Sequence, residues 1–477
     1  MSSAAAELPE TRPVPIAAII LAAGKSTRMR SKIPKPLHPV CGLPMTAHII
    51  RACRNAGAER IVVIVGHEAE AVKAGLGDSV EYALQETQRG TGDAAKAAQS
   101  LLGDWQGTIL IIAGDAPLLR TETLSALLAH HHVKQAQATL LTAILDDPTG
   151  YGRVIRNADG SVARIIEEKD ATLEQKAIKE WFPSFYAFQG QALWESLANV
   201  TPNNAQNEYY LTDTIGILVG QGASIEAIPT SDVREVLGIN NRVQLAEAGA
   251  HLRERILTDL MLAGVSIPDP SSTYIDADVS IGQDTTIYPN THLHAGTVIG
   301  EDCHIGPLCI IRNTQIGNNV KIVASQITDS TLEDDVKVGP FAHLRPKTYL
   351  GKGVKIGDFV ETKNARFAPK SQASHLSYIG DAEVGEGTNI GAGTITCNYD
   401  GFMKYRTVIG AGAFIGSHST LVAPIEIAAG AITAAGSVIT ENIPADALGI
   451  GRARTTVKPE WARTFRARKR AEKEAQS

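Results

Sequence analysis

The chain has 477 residues, 44% hydrophobic and 20% charged, a balance that excludes a disordered or membrane-embedded chain and is enough for two or three domains. Its net charge of -6 gives no general attraction to nucleic acid, and no apolar run reaches about 18 residues, so neither a nucleic-acid partner nor a membrane span is expected. Five cysteines (Cys41, Cys53, Cys303, Cys309, Cys397), an odd number without CxxC spacing, argue for reduced thiols in a cytoplasmic protein and against a zinc site.

Residues 1–15, MSSAAAELPETRPVP, lack the basic start and apolar core of a secretory signal and read as a loose leader. From Ile16 to about Gly238, short apolar runs (IAAIILAAG, RIVVIVG, GTILIIAGD, QATLLTAIL) alternate with segments of helical composition. That rhythm predicts an open α/β sheet, whose ligands collect at the carboxyl ends of the strands. In AIILAAGKSTRM a strand runs into a glycine turn followed by Lys25, Ser26, Thr27 and Arg28, a setting that suits phosphates. The turn lacks the Walker pattern of kinases and ATPases, and Lys35, held between two prolines, adds a second cation. Asp115 ends the run ILIIAGD, where its carboxylate either meets a hard cation or caps the next helix.

Residues 241–266 have helix-forming composition with apolar spacing of three and four, and SIPDPSS then breaks the pattern, which predicts a connecting helix. Beyond it, from Ile275 to about Thr440, an aliphatic residue followed by a small or acidic one returns every six residues, as in IDADVS, IGQDTT, IGNNVK and IGAGTI. A hexapeptide period this long predicts a parallel β-helix over 267–477. Its phase is interrupted around Asn364 to Tyr378 and around Cys397 to Arg406, the places where loops are expected to leave the prism. A histidine, His375, lies in the first interruption. The basic tail after Arg452 reads either as a solvated helical end or as cations for an anionic ligand.

LAAGKSTRM followed by PKPL resembles the sugar-nucleotide pyrophosphorylases, and QETQRGTGDA, AGDAPLL, TGYGRV, EEKDA, NAQNEYYLTD and GINNR narrow the likeness. From Ile16 to Trp461 the chain resembles the bacterial bifunctional UDP-N-acetylglucosamine pyrophosphorylases and glucosamine-1-phosphate N-acetyltransferases. The resemblance implies a Rossmann-like nucleotidyltransferase domain at 16–240, a linker helix at 241–266 and a left-handed β-helix acetyltransferase domain at 267–477. It also implies a homotrimer with its CoA site between chains, and a role in precursor supply for peptidoglycan and lipopolysaccharide.

By that resemblance Leu21, Ala22, Ala23, Gly24, Arg28, Lys35, Gln85, Gly90, Thr91 and Gly114 receive UTP, and Gly152 and Glu167 meet the sugar. Asp115 and Asn240 would hold Mg²⁺. In the second half His375 would be the base, oriented by Glu361, with Arg345, Lys363, Tyr378 and Asn389 on the sugar phosphate. Ala392, Asn398, Tyr399, Ser417, Ala435 and Arg452 would meet acetyl-CoA. One segment departs from the pattern: where the family reads EINTG, this chain reads EWFPS, placing Phe182 where a sugar-binding asparagine is usual and leaving Ser184 as a candidate substitute. Two other readings remain, a single-function nucleotidyltransferase with an assembly-only β-helix and a scaffold with a decayed catalytic half. The set Lys363, His375, Tyr378, Asn398 and Tyr399 speaks against the first, and Asp115 with Asn240 against the second.

Overall fold

The computed structural model describes residues 14–24 and 27–476; Lys25, Ser26 and nearly all of the expected leader lie outside them. The chain divides into two compact units, Met1–Ile256 and Leu257–Ser477.

The first unit is built on a ten-stranded mixed sheet. Its strands are β1 (Ile16–Leu21), β2 (Ala58–Val65), β3 (Glu81–Leu84), β4 (Thr108–Ala113), β5 (Ala138–Ile144), β6 (Gly152–Arg156), β7 (Val162–Ile166), β8 (Glu180–Phe182), β9 (Phe185–Gln189) and β10 (Ile225–Pro229). The order is β3-β2-β1-β4-β9-β5-β8-β6-β7, with β10 added to β5. β1 runs parallel to β2 and β4, so the turns after β1 and β4 open at the same edge of the sheet. These strands are continuous aliphatic runs because both faces are covered. Ile19, Val62 and Ile111 enter one core while Ile20, Val63 and Ile112 enter the other, the period-two alternation of a strand. Helices α1 (Met45–Asn55) and α2 (Thr121–Lys134) bring Ile49, Cys53, Leu124 and Leu127 to the second core. A long helix, α3 (Arg242–Leu262), packs Ala248 and Leu252 against Val40, Met45 and Leu118.

The second unit is a left-handed parallel β-helix of short strands stacked coil upon coil. One inward ladder runs Ile275, Leu293, Ile311, Ile327, Leu344, Thr362, Ile379, each in register with the next and none more than 2% exposed. Thr362, the polar rung, is satisfied by the Thr348 hydroxyl at 2.9 Å. Corners turn through left-handed residues such as Asp284, Asn290, Asp302 and Asn319, whose short polar side chains tolerate that conformation.

The first expected interruption is corrected here. His343–Leu344 (β11), Lys355–Asp358 (β12), Glu361–Phe367 (β13), Gln372–His375 (β14), Tyr378–Val384 (β15) and Asn389–Ile390 (β16) are all strands of the prism. β13 pairs with β15 from Glu361↔Tyr378 to Phe367↔Val384, and β12 pairs with β14 through Asp358↔His375. Buried Ala365, Phe367 and Ala373 keep the inward ladder going, while the Thr362↔Ile379 coil falls one residue short of three hexads, so the hexad phase slips without a loop. The second interruption is a true excursion: after Ile395–Cys397 the chain leaves, closes on a Tyr399↔Lys404 bridge, exposes Phe402 and returns at Thr407. The basic tail forms a solvated helix, α4 (Trp461–Glu474), in which Trp461 and Phe465 stack at 5.0 Å. Among the described residues no helix is long and apolar enough to cross a membrane.

Candidate active sites

In the first unit a cleft of about 410 Å³ opens at the carboxyl ends of β1 and β4, in the size range of small-ligand sites. Leu21, Ala22, Ala23, Gly24, Arg28, Lys35, Gln85, Gly90, Thr91, Gly114, Asp115 and Asn240 all line it. The glycine turn is pinned to the sheet: the Ala22 N–H donates to Ile64 at 3.1 Å, the Gly114 N–H donates to Leu21 at 2.9 Å, and the Gln88 amide donates to the Ala23 carbonyl. Gly90 sits at φ 116°, and a Cβ there would lie 2.5 Å from the Tyr209 carbonyl oxygen, so only glycine lets these two segments meet. Gln85 donates to the Gly90 carbonyl at 3.1 Å and to Asp93 at 3.0 Å, which fixes its head against the cleft wall.

Asp115 and Asn240 come together on one cation. The Lys35 ammonium stands 2.5 Å from Asp115 Oδ2 and 3.2 Å from Asn240 Oδ1, and Arg28 Nη2 donates to the same amide oxygen at 2.8 Å. The Asp115 carbonyl accepts from the Ile239 N–H at 2.9 Å, so the two segments are also joined through their backbones.

Gly152 and Glu167 do not line this cleft; they lie beside each other in the neighbouring part of the sheet. Burial pushes the Glu167 carboxyl above its ordinary value, and nearby Asp213, Asp170 and Glu208 add to the effect while the Thr212 hydroxyl, 3.0 Å away, opposes it. Phe182 is 3% exposed and packs edge-on to Tyr186 at 4.5 Å, in the same core as Val154 and Ile165. Ser184, not Phe182, lines the cleft.

In the second unit His375 Nδ1 lies 2.7 Å from Asp358 Oδ1, one coil below. Glu361 does not orient the imidazole as expected; its carboxylate takes a 2.7 Å bond from Arg345, because along β13 it shares a face with Arg345 and Tyr378. The Asp358 carboxyl is held below its usual range, chiefly by the bond to His375. Hydrogen bonds from Leu376 to Asp358, Gly393 to His375, His418 to Ala392 and Gly436 to Ser417 stack Asp358, His375, Ala392, Ser417 and Ala435 on one corner of successive coils. The stem of Arg452 passes beside Gly436 at the end of that column.

Arg345 and Lys363 are neighbours on β11's continuation and β13, and Lys404 joins them from the excursion. Lys404 first and Arg345 second hold the Lys363 ammonium below its ordinary value, because like charges crowd it. Asn389 accepts from Gln372 at 2.9 Å. Asn398 is buried and donates to Asp381, whereas Tyr399 is exposed on the excursion. The five cysteines form no disulfide among the described residues.

Residues 18–174 match the family described as the MobA-like NTP transferase domain, and residues 278–313 match the bacterial transferase hexapeptide repeats. A curated bifunctional protein GlmU from Brevibacillus brevis is 49% identical over 447 residues, covering 94% of this chain and 97% of that one. Relatives of the same name from a Geobacillus species and from Geobacillus thermodenitrificans are 50% and 49% identical, over 93% and 95% of this chain and 97% and 99% of theirs. The chain belongs to the GlmU family. It is a bifunctional transferase, with a nucleotidyltransferase fold followed by a hexapeptide-repeat acyltransferase fold.

The geometry brings to these sites polar residues that the sequence did not single out. Gln88 and Glu208 line the first cleft from the QETQRGTGDA and NAQNEYYLTD segments, and Asp358 and Lys404 lie beside His375 and Lys363 in the second unit. Lys404 had a signal, since it lies in the excursion that breaks the hexads. Asp358 had none, because its partner is 17 positions away.

Proposed function

We propose that the first unit, residues 16–240, couples N-acetylglucosamine 1-phosphate to UTP, and that the second, 267–477, first acetylates glucosamine 1-phosphate with acetyl-CoA. The reading is supported above all by one observation: residues 21–24, Arg28, Lys35, Gln85, Gly90, Thr91, Gly114, Asp115 and Asn240 line one cleft that carries cations for phosphates. UDP-N-acetylglucosamine and pyrophosphate are the products of the first half, an N-acetylated sugar phosphate and free CoA those of the second.

In the first cleft the backbone of residues 21–24 and the Arg28 and Lys35 cations would hold the UTP phosphates. A sugar-phosphate oxygen attacks the α-phosphorus and pyrophosphate departs, so the protein supplies position and charge and no nucleophile. Asp115 and Asn240 are an oxygen pair suited to Mg²⁺, and their convergence on the Lys35 ammonium supports a cation position between them. Bound Mg²⁺ would supply phosphate charge neutralisation. Gly152 and Glu167 would receive the sugar, with Ser184 offering a hydroxyl at the cleft wall.

In the second half Asp358 fixes the His375 tautomer by accepting from Nδ1–H, leaving Nε2 to take the proton. The sugar amine attacks the acetyl carbonyl, the C–S bond breaks, and the CoA thiol leaves. Arg345, Lys363 and Lys404 would pair with the sugar phosphate, and Tyr378 and Asn389 with its polar edge. The column Ala392, Ser417, Ala435, with Asn398, Tyr399 and Arg452, would hold CoA in a homotrimer assembled through the β-helix in the cytoplasm.

Asp115→Ala and His375→Ala in the full chain test this assignment. The first should abolish uridylyl transfer and leave acetyl transfer intact, and the second should do the reverse. Equal loss of both activities in either well-folded variant would overturn it.

A further inference from the structure

The Lys35 ammonium stands where two acceptor oxygens, Asp115 Oδ2 and Asn240 Oδ1, converge at 2.5 and 3.2 Å. Lys35 opens a short turn, Lys35–Leu37, between Pro34 and Pro36. Proline on both sides fixes the backbone direction from which the side chain leaves, while the four-carbon stem keeps its head free to swing. The pair is half-buried, with side-chain exposures of 18% for Lys35 and 28% for Asp115, so the attraction is only partly screened. Arg28 supplies a second positive charge on the Asn240 amide.

From this geometry we infer that Lys35 is a built-in placeholder for the divalent cation: its ammonium occupies the position between Asp115 and Asn240 until nucleotide phosphates draw it away. The inference rests on the metal-site reading given above and deepens it. A divalent ion and an ammonium crowded on the same two residues repel each other strongly, so metal entry is favoured when Lys35 swings away. Among the described residues its ammonium bonds to Asp115 and Asn240. Phosphate oxygens in the cleft offer it stronger charge-assisted bonds and free the carboxylate at the same moment. The consequence is coupling: the cation binds weakly to the empty cleft and enters with the nucleotide, and the empty cleft is spared an unpaired carboxylate.

Mn²⁺ alone, without nucleotide, titrated into the full-length protein and followed by electron paramagnetic resonance of the free ion, tests the inference. Lys35→Met and Lys35→Gln should each bind Mn²⁺ at the cleft about tenfold or more tightly than the wild type, the effect of losing a competing half-buried ion pair. Asp115→Asn on the Lys35→Met background should lose the gain. Thermal melts of each variant establish that it is folded. Equal affinity in wild type and both Lys35 variants, with Asp115→Asn still weakening the ion, overturns the placeholder and leaves the metal site standing. Tighter binding that survives Asp115→Asn puts the ion elsewhere and overturns the metal-site reading instead. No measurable binding in any variant overturns both.

Discussion

Replacing Phe182 with asparagine separates what the sequence predicts from what the structure predicts. From the sequence, an asparagine side chain at this position restores the family's usual polar partner, and the KM for the sugar phosphate in uridylyl transfer should fall. In the structure the ring is 3% exposed, edge-on to Tyr186 at 4.5 Å, and packed in the core that holds Val154 and Ile165. Truncating a buried phenylalanine typically costs about 3 to 5 kcal/mol, the aromatic pair contributes about 1 kcal/mol of that, and a buried amide without partners adds about 1 to 3 kcal/mol. Partial filling of the space by the smaller side chain offsets some of this, so a net loss of about 4 kcal/mol is expected. For a domain of this size each kcal/mol moves the midpoint by about 2 to 4 °C, which gives a fall of about 10 °C. The assay is residual uridylyl and acetyl transfer after graded heating of the full chain, with calorimetry alongside. Uridylyl transfer should fail about 10 °C earlier than in the wild type while acetyl transfer is unchanged. A variant as stable as the wild type, with a lower KM for the sugar phosphate, would refute the reasoning and show that the ring stands in the sugar's place.

Other outcomes follow from the same contacts. His375→Ala should lower acetyl transfer by about 10² or more near neutral pH, and Asp358→Ala by about tenfold or more with little change in the KM for acetyl-CoA, as expected of a positioning residue. A wild-type rate in Asp358→Ala would show that the 2.7 Å contact does not orient the base. In Gly357→Ala the added Cβ would overlap the Ser374 carbonyl oxygen, so acetyl transfer should be lost while uridylyl transfer survives; unchanged acetyl transfer would contradict this coil packing. Burial, helped by the charges of His132 and His130, lowers the His131 pKa from 6.5 to about 4. A depressed histidine is stabilising in its neutral form: the contribution is fully present above pH 6.5 and is lost as the pH falls toward about 4, amounting to up to about 3 kcal/mol. His131→Gln should therefore flatten the acid dependence of the first unit's melting between those values, and identical slopes in the two proteins would rule it out.

What the sequence determines by itself is everything carried by short-range repetition. Aliphatic runs with glycine turns set strands and their ends, so Leu21 to Gly24 and Asp115 are placed at one edge of the sheet as soon as β1 and β4 are parallel neighbours. The hexad period sets the prism because each coil repeats the same inward ladder, Ile275 to Ile379. Partners across the fold carry no such signal. Glu361 looks suited to His375 from its place in the chain, yet strand alternation turns it to Arg345, and it is Asp358 that the coil length brings beneath the imidazole. Likewise Lys35 reads only as a phosphate cation until the fold brings it across 80 positions to Asp115. The physical reason is common to both. A period fixes which way a side chain faces, but what it meets there depends on coil lengths and sheet order, which sum contributions from the whole chain and belong to the tertiary structure alone.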